Sequence, residues 1–161
     1  MGVYAGTLSQ ETQIRIAMKL ALSQITTNNG YFNDIGPVYD DIPANPETIP
    51  KFPAVVPKFG FDQVRLFDND VLMLDSDLYL LCYVKTIDSA TDAIESFKCD
   101  VQTAIGRNTY LPNANGVPTV QKITYRNSMP FGKVLDKPQA GILMGFKLQF
   151  QQYITDPTKD V

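Results

Sequence analysis

The sequence predicts one α+β domain in which two α-helices pack on one face of a mainly antiparallel sheet, with an extended hairpin and loop. Three observations lead to this prediction: a helical apolar stripe near the N-terminus, strand-like stretches after it, and a second helix followed by further strands. A mixed sheet is the alternative. With 161 residues the chain is long enough for one core and short for two. Residues 1–161 are therefore expected to form a single domain.

Apolar residues at three- and four-residue spacing predict the two helices. The first is expected over residues 8–27, with Thr7 or Ser9 as its N-cap. The sequence Asn28-Asn29-Gly30 should end it, because asparagine and glycine tolerate the left-handed conformation of a helix C-terminus. The second helix is expected over residues 90–107. Both stripes indicate core-facing helices.

Stretches of alternating or continuous apolar residues predict the strands. The stretch 78–85 is apolar on both faces, so it should be central and covered on both sides. Residues 128–138 are expected to be irregular. The predicted strands are 53–60, 63–68, 71–75, 78–85, 119–126 and 141–153.

Six of the eleven prolines fall within residues 36–57. Proline has no amide donor, so this stretch cannot lie in the middle of a sheet. We expect an ordered, extended excursion over the surface, with a short strand at Val38 and Tyr39. It serves either as a connection or as a partner-binding segment, since long loops in compact domains are often functional.

The composition excludes several kinds of chemistry. The chain has no histidine, which removes the Ser-His-Asp triad, the Cys-His pair and histidine metal ligands. Cys82 and Cys99 are expected to be reduced and to be buried as small hydrophobic residues. No phosphate-binding or dinucleotide motif is present, no apolar run is long enough to span a membrane, and the pI near 4.8 argues against sequence-specific nucleic-acid binding. We therefore expect no cofactor and no enzyme activity.

One acidic cluster could carry metal chemistry. Asp68, Asp70, Asp75 and Asp77 lie in a predicted hairpin at about residues 62–77, and carboxylates on one strand face suit Mg²⁺ or Ca²⁺. An EF-hand is excluded by the spacing. The cluster is interpreted as a solvated hairpin tip, and a small metal-binding or hydrolytic domain remains the alternative.

Charge is distributed unevenly along the chain. Residues 61–100 have a net charge of −6 and residues 101–161 a net charge of +4. This pattern suits either an uneven solvated surface or a head-to-tail contact between unlike patches of two subunits. Apart from the four aspartates above, the candidate interface residues are Phe59, Phe61, Phe67, Lys122, Arg126 and Lys133.

Several short motifs resemble one protein family. They are Asn28-Asn29-Gly30-Tyr31, Asp34-Ile35-Gly36-Pro37-Val38-Tyr39, Phe52-Pro53-Ala54-Val55-Val56 and Phe97-Lys98-Cys99-Asp100-Val101. Together with the order of elements and the alternating final strand, they resemble the tail terminators of long-tailed bacteriophages, the family whose member in phage lambda closes the finished tail tube. The proline-rich excursion and the acidic hairpin depart from the smaller members.

The resemblance implies structural work in the virion without catalysis. Tail terminators form a hexameric ring at the head-proximal end of the tail tube and stop tube polymerisation there. They also offer a surface to the head-completion or connector proteins. DNA passes only through the lumen of the ring. The chain would be assembled in the host cytoplasm and could be monomeric when free. The alternative to the terminator role is another tail-tube or neck subunit.

Overall fold

The computed structural model describes residues 9–43, 48–68, 70–85, 90–131 and 139–153. It confirms the α+β class. Four strands form one antiparallel sheet in the order β1-β2-β4-β3, and two α-helices cover one of its faces. The elements are α1 (Gln10–Ser23), β1 (Ala54–Asp68), β2 (Val71–Lys85), α2 (Ala90–Arg107), β3 (Lys122–Phe131) and β4 (Gln139–Tyr153).

The main core lies between the two helices and the two central strands. Cross-strand partners share a face, so the register Cys82–Ile142, Leu80–Met144 and Leu78–Phe146 aligns two apolar rows under the helices. The helices contribute their own apolar stripes, with Ile14 on α1 and Phe97 on α2 completely buried. No helix among the described residues is long and apolar enough to cross a membrane.

The other face of β2 is covered at one end only. Tyr83 packs there with Ala54 and Val56 of β1, and with Ile49 from the proline-rich excursion. Partly buried Tyr39, Phe52 and Leu81 complete this second cluster. The predicted central position of residues 78–85, with cover on both sides, is confirmed for this end of the strand.

Helix α1 is shorter at its C-terminus than the apolar stripe predicts. It begins after Ser9, whose hydroxyl accepts a hydrogen bond from the Thr12 amide at 3.3 Å, and it ends at Ser23. The Asp34 carboxylate accepts hydrogen bonds from the amide of Thr27 at 2.7 Å and from its hydroxyl at 3.2 Å. This non-helical partner holds Thr27–Asn29 in a separate 3₁₀ turn, closed by left-handed Gly30 with φ of 87°.

Strands β1 and β2 are continuous where four shorter strands were predicted. Each has 15 residues, and bulges between Phe59 and Asp62 and between Val64 and Leu66 take up the irregularity of β1. The predicted break in β1 coincides with the first bulge. In β2, polar Ser76 and Asp77 interrupt the apolar residues of a regular strand and thereby mimic a strand end in the sequence.

Strand β3 begins and ends later than predicted. The prediction of irregular structure from Ser128 is wrong as far as Phe131, and residues 132–138 lie outside the described part of the chain. Pro130 lacks a ladder donor, but β3 is an edge strand and therefore tolerates it. Before the strand, the amides of Thr119 and Val120 donate to the carbonyl of Tyr110.

The proline-rich excursion is ordered in its described parts, residues 36–43 and 48–57. Val38 forms a parallel bridge with Val55, as the predicted short strand requires, and the Tyr39 amide donates to the Val55 carbonyl at 2.8 Å. Gly36 approaches the returning chain so closely that its amide lies 2.6 Å from the Pro53 carbonyl. The last proline, Pro57, lies in edge strand β1, as expected from its missing donor.

Both cysteines are free thiols, as predicted. Cys82 is buried under the helices, and burial raises the pKa of its thiol far above the usual range. Cys99 is exposed, which corrects the expectation that both are buried. The helical period explains the difference, because Phe97 and Val101 turn toward the core and position 99 faces outward.

Candidate assembly interface

Two predicted partners in a charged contact between subunits meet within one chain. The guanidinium Nη1 of Arg126 lies 3.0 Å from Oδ1 of Asp77, and the sheet register places Lys147 directly opposite Asp77. The bulge between Tyr125 and Asn127 lets Arg126 reach this acid, two strands away. The charge separation seen along the sequence is thus partly neutralised inside the sheet.

The other aspartates of the cluster lie further along the hairpin. Asp75 is half-buried between Gln63 of β1 and Gln149 of β4, and its Oδ1 has no hydrogen-bond partner among the described residues. Asp68 ends β1, and Asp70 is exposed in the turn. Among the described residues no group of three or more acidic or cysteine side chains is placed to hold a metal ion. The described side chains of Asp70, Asp75 and Asp77 therefore form no metal site.

The aromatic and basic candidate residues also differ from one another in burial. Phe59 is half-buried and packs against the main core. Phe61 and Phe67 lie in β1, but their side chains are outside the described set. Lys122 is exposed at the start of β3, and Lys133 falls in the undescribed segment. Lys122 is therefore exposed and forms no ion pair with an acidic side chain among the described residues.

The carboxyl groups of Glu11 on α1 and Asp62 on β1 lie close together. The sequence did not predict this contact. Burial raises the pKa of Glu11, and the nearby Asp62 carboxylate raises it further. The Ser76 hydroxyl donates a short hydrogen bond to Asp62 Oδ1. Register explains this meeting, since Asp62 and Ser76 are cross-strand partners on the face that α1 covers. A sequence separation of 51 residues gives no local signal for it.

A buried aspartate holds the loop after α1. Asp100 of α2 is 2% exposed, and its two carboxylate oxygens accept hydrogen bonds from the amides of Phe32 and Asn33, each at 2.9 Å. The Asn33 side chain adds a third bond at 2.8 Å. Arg107 stacks over the Tyr31 ring at 4.7 Å from its centroid. This network fixes the loop at residues 31–33 against α2.

Ion pairs fasten the excursion to the rest of the domain. Asp40 contacts Arg15 and, at 3.1 Å, Lys19, both on α1, while Lys58 of β1 lies 3.0 Å from Asp41. The hydrogen bond from Lys19 and the two positive charges lower the pKa of Asp40. The excursion is therefore held in place on both α1 and β1.

Both edges of the sheet are exposed over long stretches. Four consecutive residues of β1, Asp62 to Arg65, are exposed on alternating faces, and Val64 is 55% exposed. On β3 most side chains are exposed, including Tyr125 and Met129. Within the described ranges no strand pairs with the outer side of β1 beyond Pro57, or with the outer side of β3. Apolar side chains and backbone groups are thus displayed together at both edges.

Comparisons with known proteins find similar solved structures but no matching family model or curated protein. Among solved structures, the chain is similar to one from the "Virion of native gene transfer agent (GTA) particle", with 15% sequence identity and a TM-score of 0.43. The similarity covers 92% of this chain and 98% of the other.

Proposed function

We propose that the chain is a structural subunit of a long-tailed bacteriophage tail and acts as its terminator, forming a ring at the head-proximal end of the tail tube. The observation that carries this proposal is the long sheet in which, among the described residues, no strand pairs with the outer side of β3 or with that of β1 beyond Pro57. Strands of 15 residues span about 50 Å, whereas helices of 14 and 18 residues span about 21 and 27 Å. The hairpin therefore extends past the helical layer that would otherwise cover it.

A monomeric protein does not need a hairpin that extends past its helical layer. Exposed strand edges invite pairing with other chains, and monomeric proteins usually shorten or cover them. Here the distal part of β1 is exposed on both faces, and Val64 shows an apolar side chain on the face where α1 and α2 cover other strands. Assembly with further chains would bury this surface. In a virion, the neighbouring subunits lie in fixed positions and can serve as these further chains.

Each proposed partner has its own contact in this arrangement. Further copies of the chain complete the ring, the tail tube protein binds one ring face, and a head-completion or connector protein binds the other. The hairpin tip with Asp68 and Asp70 is the proposed contact to one of these two partners. DNA passes through the lumen without sequence-specific contacts, and the role requires no catalysis.

The test is a capping assay with the tail tube protein from the same genome. Tube polymerisation is followed by electron microscopy with and without the purified chain. We expect added chain to stop elongation at one tube end and to leave a ring-shaped density there. Asp68→Asn with Asp70→Asn should weaken capping, while thermal stability should change by less than about 1 kcal/mol, as is usual for surface sites.

The control is Glu95→Gln, which removes an acidic charge from the exposed side of α2. This control should cap tubes as the unchanged chain does. Tubes that elongate normally in the presence of excess chain would refute the terminator role. Incorporation of the chain along the whole tube would instead identify a tube subunit, and stacking on an isolated connector would identify a neck subunit.

A further inference from the structure

We infer that the ring is closed by edge-to-edge pairing of the sheets, with the outer side of β1 in one copy pairing antiparallel with the outer side of β3 in the next. The inference rests on the proposed ring and names its contact. The partner that fits these edges is a second copy of this chain. Three observations support it: strand direction, charge, and exposed apolar side chains.

The strand directions suit a head-to-tail contact. The order is β1-β2-β4-β3 and every neighbouring pair is antiparallel, so β1 and β3 run in opposite directions at opposite edges. A second sheet placed beside the first by rotation about a ring axis then continues the antiparallel alternation. Because the two surfaces differ, the contact is heterologous, and it generates a ring when the rotation between neighbouring copies closes on itself.

The charges at the two edges oppose pairing of like edges. The outer half of β1 and its turn contain Asp62, Asp68 and Asp70 against the single Arg65. Strand β3 contains no acid, and of its two basic residues Arg126 is already paired with Asp77 while Lys122 is exposed. Like charges that face each other across strands destabilise the pairing. A β1–β1 or β3–β3 contact would bring like charges together, whereas a β1–β3 contact that is offset by about four residues places Lys122 level with Asp68. The same charges protect a free subunit from indiscriminate edge pairing.

The uncovered part of β1, after Pro57, lies about four residues further along the sheet than β3. Through the sheet register, Gln63 of β1 is level with Asp75 of β2, Gln149 of β4 and Lys122 of β3. An offset of about four residues between two copies, of the kind that closing a sheet requires, therefore brings Val64 of one copy level with Tyr125 of the next. Val64 of one edge, and Tyr125 and Met129 of the other, provide apolar surface that the contact would bury. Of the strands, only these two edges contain large exposed hydrophobic residues among those described.

Cross-linking with introduced cysteines tests the pairing. In a Cys99→Ser background, Gln63→Cys is combined with Thr124→Cys, since both positions are exposed and lie on the helix-free face. A short bismaleimide tolerates a register shift of two residues between them. The reaction is run on preparations in which microscopy shows rings, with tail tubes as template where needed. We expect a ladder of covalent oligomers that ends at the number of subunits in the ring.

The two single-cysteine variants are the matched controls, and each should give at most traces of dimer. A single variant that forms dimer as efficiently as the double variant would show pairing of like edges and overturn the inference. Rings in which the double variant stays monomeric under the reagent would also overturn it, while leaving the terminator role intact. Absence of rings, even with tubes present, would instead count against the proposed function.

Discussion

At the scale of single residues, the environment of each side chain decides its chemistry. The two thiols show this most directly, because one points into the core from β2 and the other points outward from α2. Likewise Asp77 is paired with Arg126, whereas Asp70 is exposed in the turn only seven positions away. Residue type alone does not separate these cases.

The thiols should therefore differ in reactivity. We expect one maleimide to add to the native chain, at Cys99, and a second to add only after unfolding, at Cys82, since burial disfavours the thiolate that reacts. Mass spectrometry counts the adducts and peptide mapping locates them. Prior reduction should leave both counts unchanged. Rapid native labelling of Cys82, or a gain upon reduction, would contradict the structure.

The Glu11–Asp62 contact should make stability depend on pH. Because the pKa of Glu11 is raised in the folded chain, its favourable contribution is complete below the unfolded value of 4.5 and is lost as the pH rises through the folded value. Glu11→Gln keeps the uncharged form at every pH. We expect it to raise Tm at pH 7 by about 1–2 °C, equivalent to about 0.5 kcal/mol for this partly exposed group.

This gain should disappear when the pH falls below the ordinary glutamate range. Thermal unfolding of both chains between pH 3 and about pH 8, set by the titration range of carboxyl groups, gives the comparison. Glu95→Gln on exposed α2 is the control and should show no such trend. A Gln variant that is less stable than the unchanged chain at pH 7 would show that the glutamate is favourable there.

At the scale of elements, the packing of loops against helices defines the domain as much as the helices do. Asp100 secures the loop at Phe32 and Asn33, and the close approach of Gly36 to residues 51–53 brings the excursion back to the sheet. Phe32 itself is 70% exposed, so its position depends on these backbone contacts and not on burial of its ring.

Removal of the Asp100 carboxylate should loosen that loop. Asp100→Ala leaves the amides of Phe32 and Asn33 without their acceptor, and we expect a loss of about 2–4 kcal/mol in unfolding free energy. Hydrogen exchange should speed up at these two amides before it does so in the sheet. Gln102→Ala, on the exposed side of the same helix, should stay within about 0.5 kcal/mol. Unchanged exchange at Phe32 and Asn33 would argue against the clamp.

Two glycine substitutions should have opposite effects. A Cβ at Gly36 would lie 2.9 Å from the Pro53 carbonyl oxygen and closer still to that of Lys51, so Gly36→Ala should cost about 1–3 kcal/mol. A Cβ at Gly106 on α2 meets nothing within 4 Å, and alanine favours helix, so Gly106→Ala should add about 0.5–1 kcal/mol. Urea unfolding of both variants measures the pair. A stable Gly36→Ala chain would mean that the excursion does not approach so closely.

Sequence patterns predicted the elements that depend on local periodicity and missed those set by long-range contacts. Both ends of α2 match the structure, since its apolar stripe covers its whole length. The end of α1 depends on Asp34, and the length of β3 depends on its edge position, which tolerates Pro130. Of the candidate site, exposure of Lys122 and Asp70 follows from residue type, whereas the Asp77–Arg126 pair required the bulge and register of a folded sheet.

At the scale of the whole molecule, the proposed assembly depends on one antiparallel sheet whose two edges differ in charge. The helices and the excursion cover the sheet near Tyr83, while the edges and the hairpin end stay accessible. Exposed ion pairs contribute about 0–1 kcal/mol each and are screened by salt, so charge would set the register and the apolar and backbone contacts would supply the affinity.

The central claim is that copies of this chain close into a ring. Mass measurement combined with electron microscopy of the assembled chain, alone and on tail tubes, tests it most directly. We predict closed rings of six subunits with an open lumen, formed at the tube end even where the free chain is monomeric. Open filaments of the chain, or a chain that stays monomeric in the presence of tubes, would contradict the claim.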